Sequence, residues 1–194
     1  MPRPIRKKIL YDGCYAHVYS RALDKRYVYQ DEEDFEHFKQ LMLRTKREYA
    51  YRIHHYCLMN THFHLIVSLE CLEAFSSALK ELKQCYAKWY QKKSGRKGPV
   101  WWGRFGSQRI ESEMYMRACG MYVELNPVKA GMVRRPEDWV HSSSRHYFLG
   151  QKDELVDEYE RPDEALAEAL VGGLNVGRGS YIGTPLFLMS RGQL

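Results

Sequence analysis

The chain has 194 residues, 44% of them hydrophobic, and a formal net charge of +6. That is enough for one domain with a sizeable core, and no apolar run approaches the length of a membrane span. Residues 151–194 hold four basic and eight acidic residues, so the tail carries −4 and the first 150 residues +10. A basic body with an acidic tail points to a polyanionic partner, most simply nucleic acid. Five cysteines (Cys14, Cys57, Cys71, Cys85, Cys119) include no Cys-x-x-Cys pair, which argues against a structural zinc site and a disulfide framework. The basic N-terminus has no apolar signal core after it, so the reading expects a soluble, cytoplasmic protein with no membrane partner.

Cys14 to Ser20 alternates and reads as a first strand, followed by a basic, aromatic loop from Arg21 to Tyr29. Asp31 to Asp34 places acids in the first turn of a helix, where the dipole favours them. Phe35, Phe38, Leu41, Met42 and Tyr49 supply its apolar stripe, which ends near Ala50. Tyr51 to Met59 is a second strand, and Asn60-Thr61 a tight reversal into a third. A helix follows from about Leu72 to Lys92, then a glycine-rich loop, a fourth strand from Val100 to Ile110, and a third helix from Glu111 to Asn126. The expected class is α+β, with a ferredoxin-like βαββαβ core, a central antiparallel sheet, helices over one face, and added C-terminal helices. Residues 1–150 are the expected domain. Residues 151–194 are read as an acidic, then glycine-rich tail, with a short helix over 163–171 and a glycine-rich stretch over 172–183 that matches no phosphate-binding spacing.

Chemistry concentrates in the third strand, Thr61-His-Phe-His-Leu-Ile-Val-Ser. Strict alternation puts His62, His64 and Ile66 on one face and Phe63, Leu65 and Val67 on the other. Two imidazoles about 7 Å apart at the backbone can close on one divalent metal. A surface pair with no ligand is the plainer reading of a bare His-x-His.

A second concentration lies between Lys88 and Arg109, with seven basic residues and no acidic one. Lys88, Lys92, Arg96, Lys97 and Arg104 alternate there with Trp89, Tyr90, Trp101, Trp102 and Phe105. Single-stranded nucleic acid calls for this mixture, because cations track phosphates while aromatic faces stack on unpaired bases. Arg21, in the first loop, joins the same candidate set. Adjacent tryptophans on a strand face opposite sides, so at most one of Trp101 and Trp102 belongs to the core.

In the third helix Met114, Ala118, Met121 and Leu125 form the expected core stripe. Tyr115, Cys119, Tyr122 and Asn126 form the neighbouring one, with Pro127 placing Asn126 at the helix end. Such an Asn caps the helix or offers its carbonyl oxygen to a metal. Among 15 tyrosines, nothing local distinguishes Tyr122.

Cys57-Leu-Met-Asn-Thr-His-Phe-His-Leu-Ile-Val resembles the His–hydrophobic–His (HUH) segment of the REP-associated tyrosine transposases. Tyr122-Val-Glu-Leu-Asn-Pro-Val-Lys-Ala-Gly resembles their tyrosine helix, and Trp101-Trp-Gly-Arg-Phe and Arg135-Pro-Glu-Asp-Trp also match in order and spacing. The resemblance covers roughly residues 13–147. It differs where Met-Asn-Thr-His replaces the usual Met-Pro-Asn-His, and where Ser20-Arg21-Ala22 replaces Asn-Arg-Gly.

The resemblance implies Tyr122 as nucleophile, with His62, His64 and Asn126 as ligands of Mg²⁺ or Mn²⁺. It also implies cleavage and rejoining of single-stranded DNA at REP-type hairpins through a 5′-phosphotyrosine. A monomer and a homodimer both remain open. Three alternatives stand beside it: a non-catalytic hairpin-binding module, a replication initiator or relaxase, and a metal-dependent nuclease that uses water.

Overall fold

The structure, a computed structural model, describes residues 10–159. Its first helix, α1 (Glu32–Glu48), begins where the acids predict. The Asp31 carboxylate accepts from the Asp34 amide, and the Asp34 carboxylate accepts from the Gln30 and Asp31 amides. This capping box satisfies donors that have no partner inside the helix. The Asp34 carboxylate also pairs with Lys93 of α2 (Leu72–Ser94), tying the two helices side by side.

Four strands form the sheet: β1 (Tyr15–Arg21), β2 (Tyr51–Met59), β3 (His62–Leu69) and β4 (Gly106–Ile110). Their spatial order is β2-β3-β1-β4, with every neighbour antiparallel, as the ferredoxin-like order requires. Asn60 and Thr61 close the β2–β3 hairpin, and the Asn60 amide donates to the Tyr29 carbonyl. One face of the sheet presents Ala16, Val18, Phe63, Leu65 and Val67 to Phe38, Met42, Phe75, Leu79, Leu82 and Tyr86 of α1 and α2. These residues form the main core.

The helices do not all lie over that face. The third helix, α3 (Glu113–Glu124), crosses the opposite face against β2 and β3. Its buried residues are Met116, Cys119, Gly120, Val123 and Glu124, whereas Met114 is 79% exposed. The stripe expected from Met114, Ala118, Met121 and Leu125 is therefore rotated outward. The reason is the surface beneath it. A bulge between Ile53 and His55 turns His55, Cys57 and Met59 to this face, beside His62, His64 and Ile66. A polar, closely approached sheet takes a Gly and a Glu where a greasy one would take Met and Leu.

The fourth strand is shorter than expected. Trp101 makes one isolated bridge to Ala22, Gly103 turns the chain at φ +63°, and pairing resumes only at Gly106. Trp101 and Phe105 both enter the core, which alternation along a continuous strand would also allow, but Trp102 to Arg104 bulge out between them.

After α3, a one-turn α4 (Asn126–Lys129) and a 3₁₀ turn at Pro136–Asp138 lead to α5 (Ser144–Leu149). This segment covers the edge of β2. The Trp139 indole donates to the Leu58 carbonyl, the Leu58 amide to His141, and the Ser143 amide to Tyr56. An uncovered edge would be a template for foreign strands. The cover continues past residue 150: the Ile53 amide donates to the Asp157 carboxylate, the Asp157 amide donates back to the Ile53 carbonyl, and Leu155 is buried. The compact unit thus runs to Glu158, not to residue 150. The expected helix over 163–171 and the glycine-rich stretch lie outside the described residues. All five cysteines are free, and no helix among the described residues is long and apolar enough to cross a membrane.

Candidate active site

The sheet face beneath α3 gathers five of the side chains that matter. Period two along β1 puts His17 and Tyr19 on it, and the β1–β3 register sets Tyr19 opposite His64. His62 and His64 stand on β3 with ring centroids 5.0 Å apart and planes at 87°. Tyr122 descends from α3, its ring 5.8 Å from that of His64 and 5.9 Å from that of His17.

Each candidate ligand histidine has one nitrogen already committed. His64 Nδ1 is 2.9 Å from His17 Nε2, and His62 Nδ1 is 2.9 Å from Thr61 Oγ1. These partners orient the rings through Nδ1 and leave Nε2 as the nitrogen each ring has to offer a ligand. Burial lowers the pKa of His62 and, well below the usual value, that of His64, where His17 and His62 add to the effect. Burial also brings His17 down to about 4. The three imidazoles are therefore neutral at pH 7, the form that ligates.

Asn126 begins one helical turn beyond Tyr122. Its amide donates to the Tyr122 carbonyl at 2.8 Å and so closes the end of α3. That contact is a cap, and it leaves the side-chain oxygen as the atom to offer a cation. Two imidazole nitrogens and an amide oxygen suit Mg²⁺ or Mn²⁺ when phosphate oxygens complete the shell. Among the described residues no three His, Cys, Asp or Glu side chains are grouped to hold an ion by themselves. The donor chemistry of His62, His64 and Asn126 is compatible with a divalent ion.

Tyr122 is half-buried. Burial pushes its pKa above the ordinary phenol value, and the nearby Tyr19 and Cys119 push it the same way. The Lys129 ammonium sits 4.6 Å from the centre of the Tyr122 ring. Burial holds the Lys129 pKa below the usual lysine value.

The helix that carries Tyr122 is anchored from below. Glu124 accepts from His55 Nδ1 at 3.0 Å and from the Ser143 hydroxyl, joining α3, β2 and the start of α5 in one buried network. The His55 ring stacks on Tyr147 at 4.2 Å.

The basic and aromatic candidates divide. Arg21 and Trp102 are exposed and stacked, the guanidinium 5.3 Å from the indole centre. Arg96, Lys97 and Arg104 are exposed in the loops that lead into β4. Lys88 and Lys92 are exposed on α2, in the layer across the sheet from Tyr122, and are not brought to the histidines. Trp101 and Phe105 are corrections. Their rings are 8% and 6% exposed, and the Trp101 indole donates to the Lys83 carbonyl, so neither has a face free for a base. His17, Tyr19 and Lys129 were not among the sequence candidates. The alternation that singled out His62 and His64 also runs through His17 and Tyr19, and was the available signal.

Residues 10–126, more than half of the chain, match the family model described as "Transposase IS200 like". A REP-associated tyrosine transposase from Escherichia coli (strain K12) is 28% identical over 110 residues, which are 56% of this chain and 64% of that relative. The match thus spans just under two thirds of the relative's length. The fold is similar to that of a solved REP-associated tyrosine transposase bound to a REP hairpin, with a TM-score of 0.64 and 21% identity over 83% of this chain and all of that one. The chain belongs to the IS200-like transposase family.

Proposed function

We propose that the protein is a metal-dependent transesterase that cleaves and rejoins single-stranded DNA at REP-type hairpins, with Tyr122 as its nucleophile. The observation that carries this reading is the approach of Tyr122 to His64 and His17, with both candidate ligand histidines neutral and held through Nδ1. The hairpin substrate is suggested by the relative solved with a REP hairpin.

In the proposed reaction Tyr122 Oη forms a bond to the scissile phosphorus and the bond from phosphorus to the 3′ oxygen breaks. The phenol proton leaves to solvent, and the departing 3′ oxygen takes one up. The product is a 5′-phosphotyrosine, a diester exchanged for a diester, so the strand can be rejoined without ATP. Mg²⁺ or Mn²⁺, held by His62, His64 and Asn126, would polarise the phosphate as a Lewis acid. His17 holds the His64 ring in its tautomer and orientation. Lys129 places positive charge over the phenol, where it favours the anionic form that attacks.

The test is incubation of the full chain with Mn²⁺ and a labelled single-stranded hairpin from its own genomic neighbourhood. A covalent protein–DNA band on a denaturing gel, lost with Tyr122→Phe, is expected. Cleavage that proceeds equally well in Tyr122→Phe would sink the proposal and point to water as nucleophile.

A further inference from the structure

Beyond the reacting groups, the same face of β1 carries a second pattern. Ala16, Val18 and Ala22 point into the core, so Tyr19 and Arg21 point outward with His17. Arg21 pairs opposite His62 and Tyr19 opposite His64. Tyr19 and Trp102 are 45% and 47% exposed, two large aromatic rings left in solvent, the first of them near Tyr122. Trp102 is fixed there by its amide, which donates to the Arg21 carbonyl, and by the guanidinium stacked on it.

The neighbouring strand is built around Tyr19. Gly106 of β4 pairs opposite it, and a Cβ at Gly106 would lie 2.3 Å from Tyr19 Cζ and 2.7 Å from Tyr19 Oη. Gly106 does not have a positive φ, so backbone conformation does not call for glycine here. What glycine supplies is room for the phenol ring to lie over β4. Close approach of this kind is a recognised use of glycine within a strand.

We infer that Tyr19 and the Arg21–Trp102 pair are two consecutive base-stacking subsites for the unpaired DNA that carries the scissile phosphate. Tyr19 takes the base nearest Tyr122, and Trp102 takes the next one out. The inference rests on the reading of Tyr122 as nucleophile, and it deepens that reading by placing the substrate strand along β1. Tyr19 and Arg21, two apart on β1, are separated by about 7 Å at the backbone, and Trp102 is held at the Arg21 end of that step. Aromatic faces stack on any base, and the guanidinium of Arg21 adds a charge for the phosphate between the two. The Tyr19 ring rests on Gly106 and beside the His17 and His64 rings, which hold it in place while leaving it 45% exposed.

The test is a binding scan with the full chain carrying Tyr122→Phe, so that the strand stays whole. The probe is a labelled single-stranded hairpin oligonucleotide from the chain's own genomic neighbourhood, with unpaired nucleotides on each side replaced one at a time by an abasic sugar. Tyr19→Leu should weaken binding about 5- to 150-fold, the range for loss of one base–aromatic stack, while Tyr19→Phe leaves it unchanged. One abasic position should cost the parent the same factor and cost Tyr19→Leu nothing more. The adjacent position should be coupled in this way to Trp102→Leu.

No position coupled to Tyr19, or coupled positions that are not neighbours, would overturn the inference. Because the scan reads binding alone, it decides the subsites separately from catalysis. Coupling present with no adduct in the wild-type chain would overturn the nucleophile and leave the stacking track standing.

Discussion

Gly120 of α3 lies against the imidazole of His55 on β2 so closely that a Cβ at residue 120 would sit 2.7 Å from His55 Nε2. The His55 ring cannot retreat, because Tyr147 stacks on its plane and Glu124 holds its Nδ1. The height of the tyrosine helix above the histidine strand is therefore set by the absence of one methyl group. Gly120→Ala should lift α3, costing about 1–3 kcal/mol by overpacking and slowing adduct formation, while the affinity for hairpin DNA changes little. Stability from urea unfolding and adduct rates measured in parallel check this.

His17 acts on the metal site through His64. His17→Phe keeps a ring in place but removes the partner of His64 Nδ1. The Mn²⁺ concentration for half-maximal adduct formation should rise about 10- to 100-fold, and saturating Mn²⁺ should restore the rate. An unchanged metal requirement would show that His17 only packs.

Glu124 gathers hydrogen bonds from His55 and Ser143 in a buried setting. Glu124→Ala leaves both donors without that acceptor, at about 1–3 kcal/mol for each unpaired group. Glu124→Gln keeps the shape and one acceptor oxygen, and should cost less. Denaturant midpoints for the two variants, compared with Ser143→Ala, give the order.

Two buried histidines away from the active site make stability depend on pH. Burial lowers His54 to about 4, and lowers His141 to about 4, with Lys39 adding to the shift and Glu36 opposing it. Since the folded values lie below the unfolded value of about 6.5, protonation favours the unfolded chain. Their stabilising contribution is complete above pH 6.5 and is lost as pH falls towards 4. The unfolding free energy from urea titrations should therefore fall between pH 6.5 and 5, by at most about 1.4 kcal/mol per pH unit for each histidine. His141→Phe keeps the stack on Phe35, where the rings are 3.6 Å apart and parallel to within 3°, and should flatten the profile.

Much of this architecture was legible in the chain because period two is a strong signal where one sheet face is greasy. It located β1 and β3, and the short Asn60-Thr61 reversal fixed their connection to β2. The acids before Phe35 marked the start of α1 to within a residue. Two features hid the rest. The bulge after Ile53 exchanges the faces of β2, so His55 could not be assigned to the site face by counting. The inner side of α3 sets Gly120 and Glu124, which do not score as core, among Met116, Cys119 and Val123, whereas the outward Met114 does score. Trp101 and Phe105 mislead for the opposite reason: an aromatic beside basic residues looks like a stacking platform until its core neighbours are known, Phe63 and Tyr86 for Trp101 and Phe75 for Phe105. His17 and Tyr19 needed only the rule already applied to His62 and His64.

The central claim is that a covalent bond forms at Tyr122, and the most direct measurement locates that bond. The adduct formed with Mn²⁺ and the hairpin oligonucleotide would be digested with nuclease and trypsin and its peptides weighed. Cleavage after Arg117 and Lys129 releases Ala118–Lys129, a peptide in which Tyr122 is the one tyrosine. The account predicts a nucleotide remnant on that peptide, joined through a phosphotyrosine. A remnant on another peptide, such as one containing Tyr19, or cleaved DNA with every tyrosine unmodified, would contradict it.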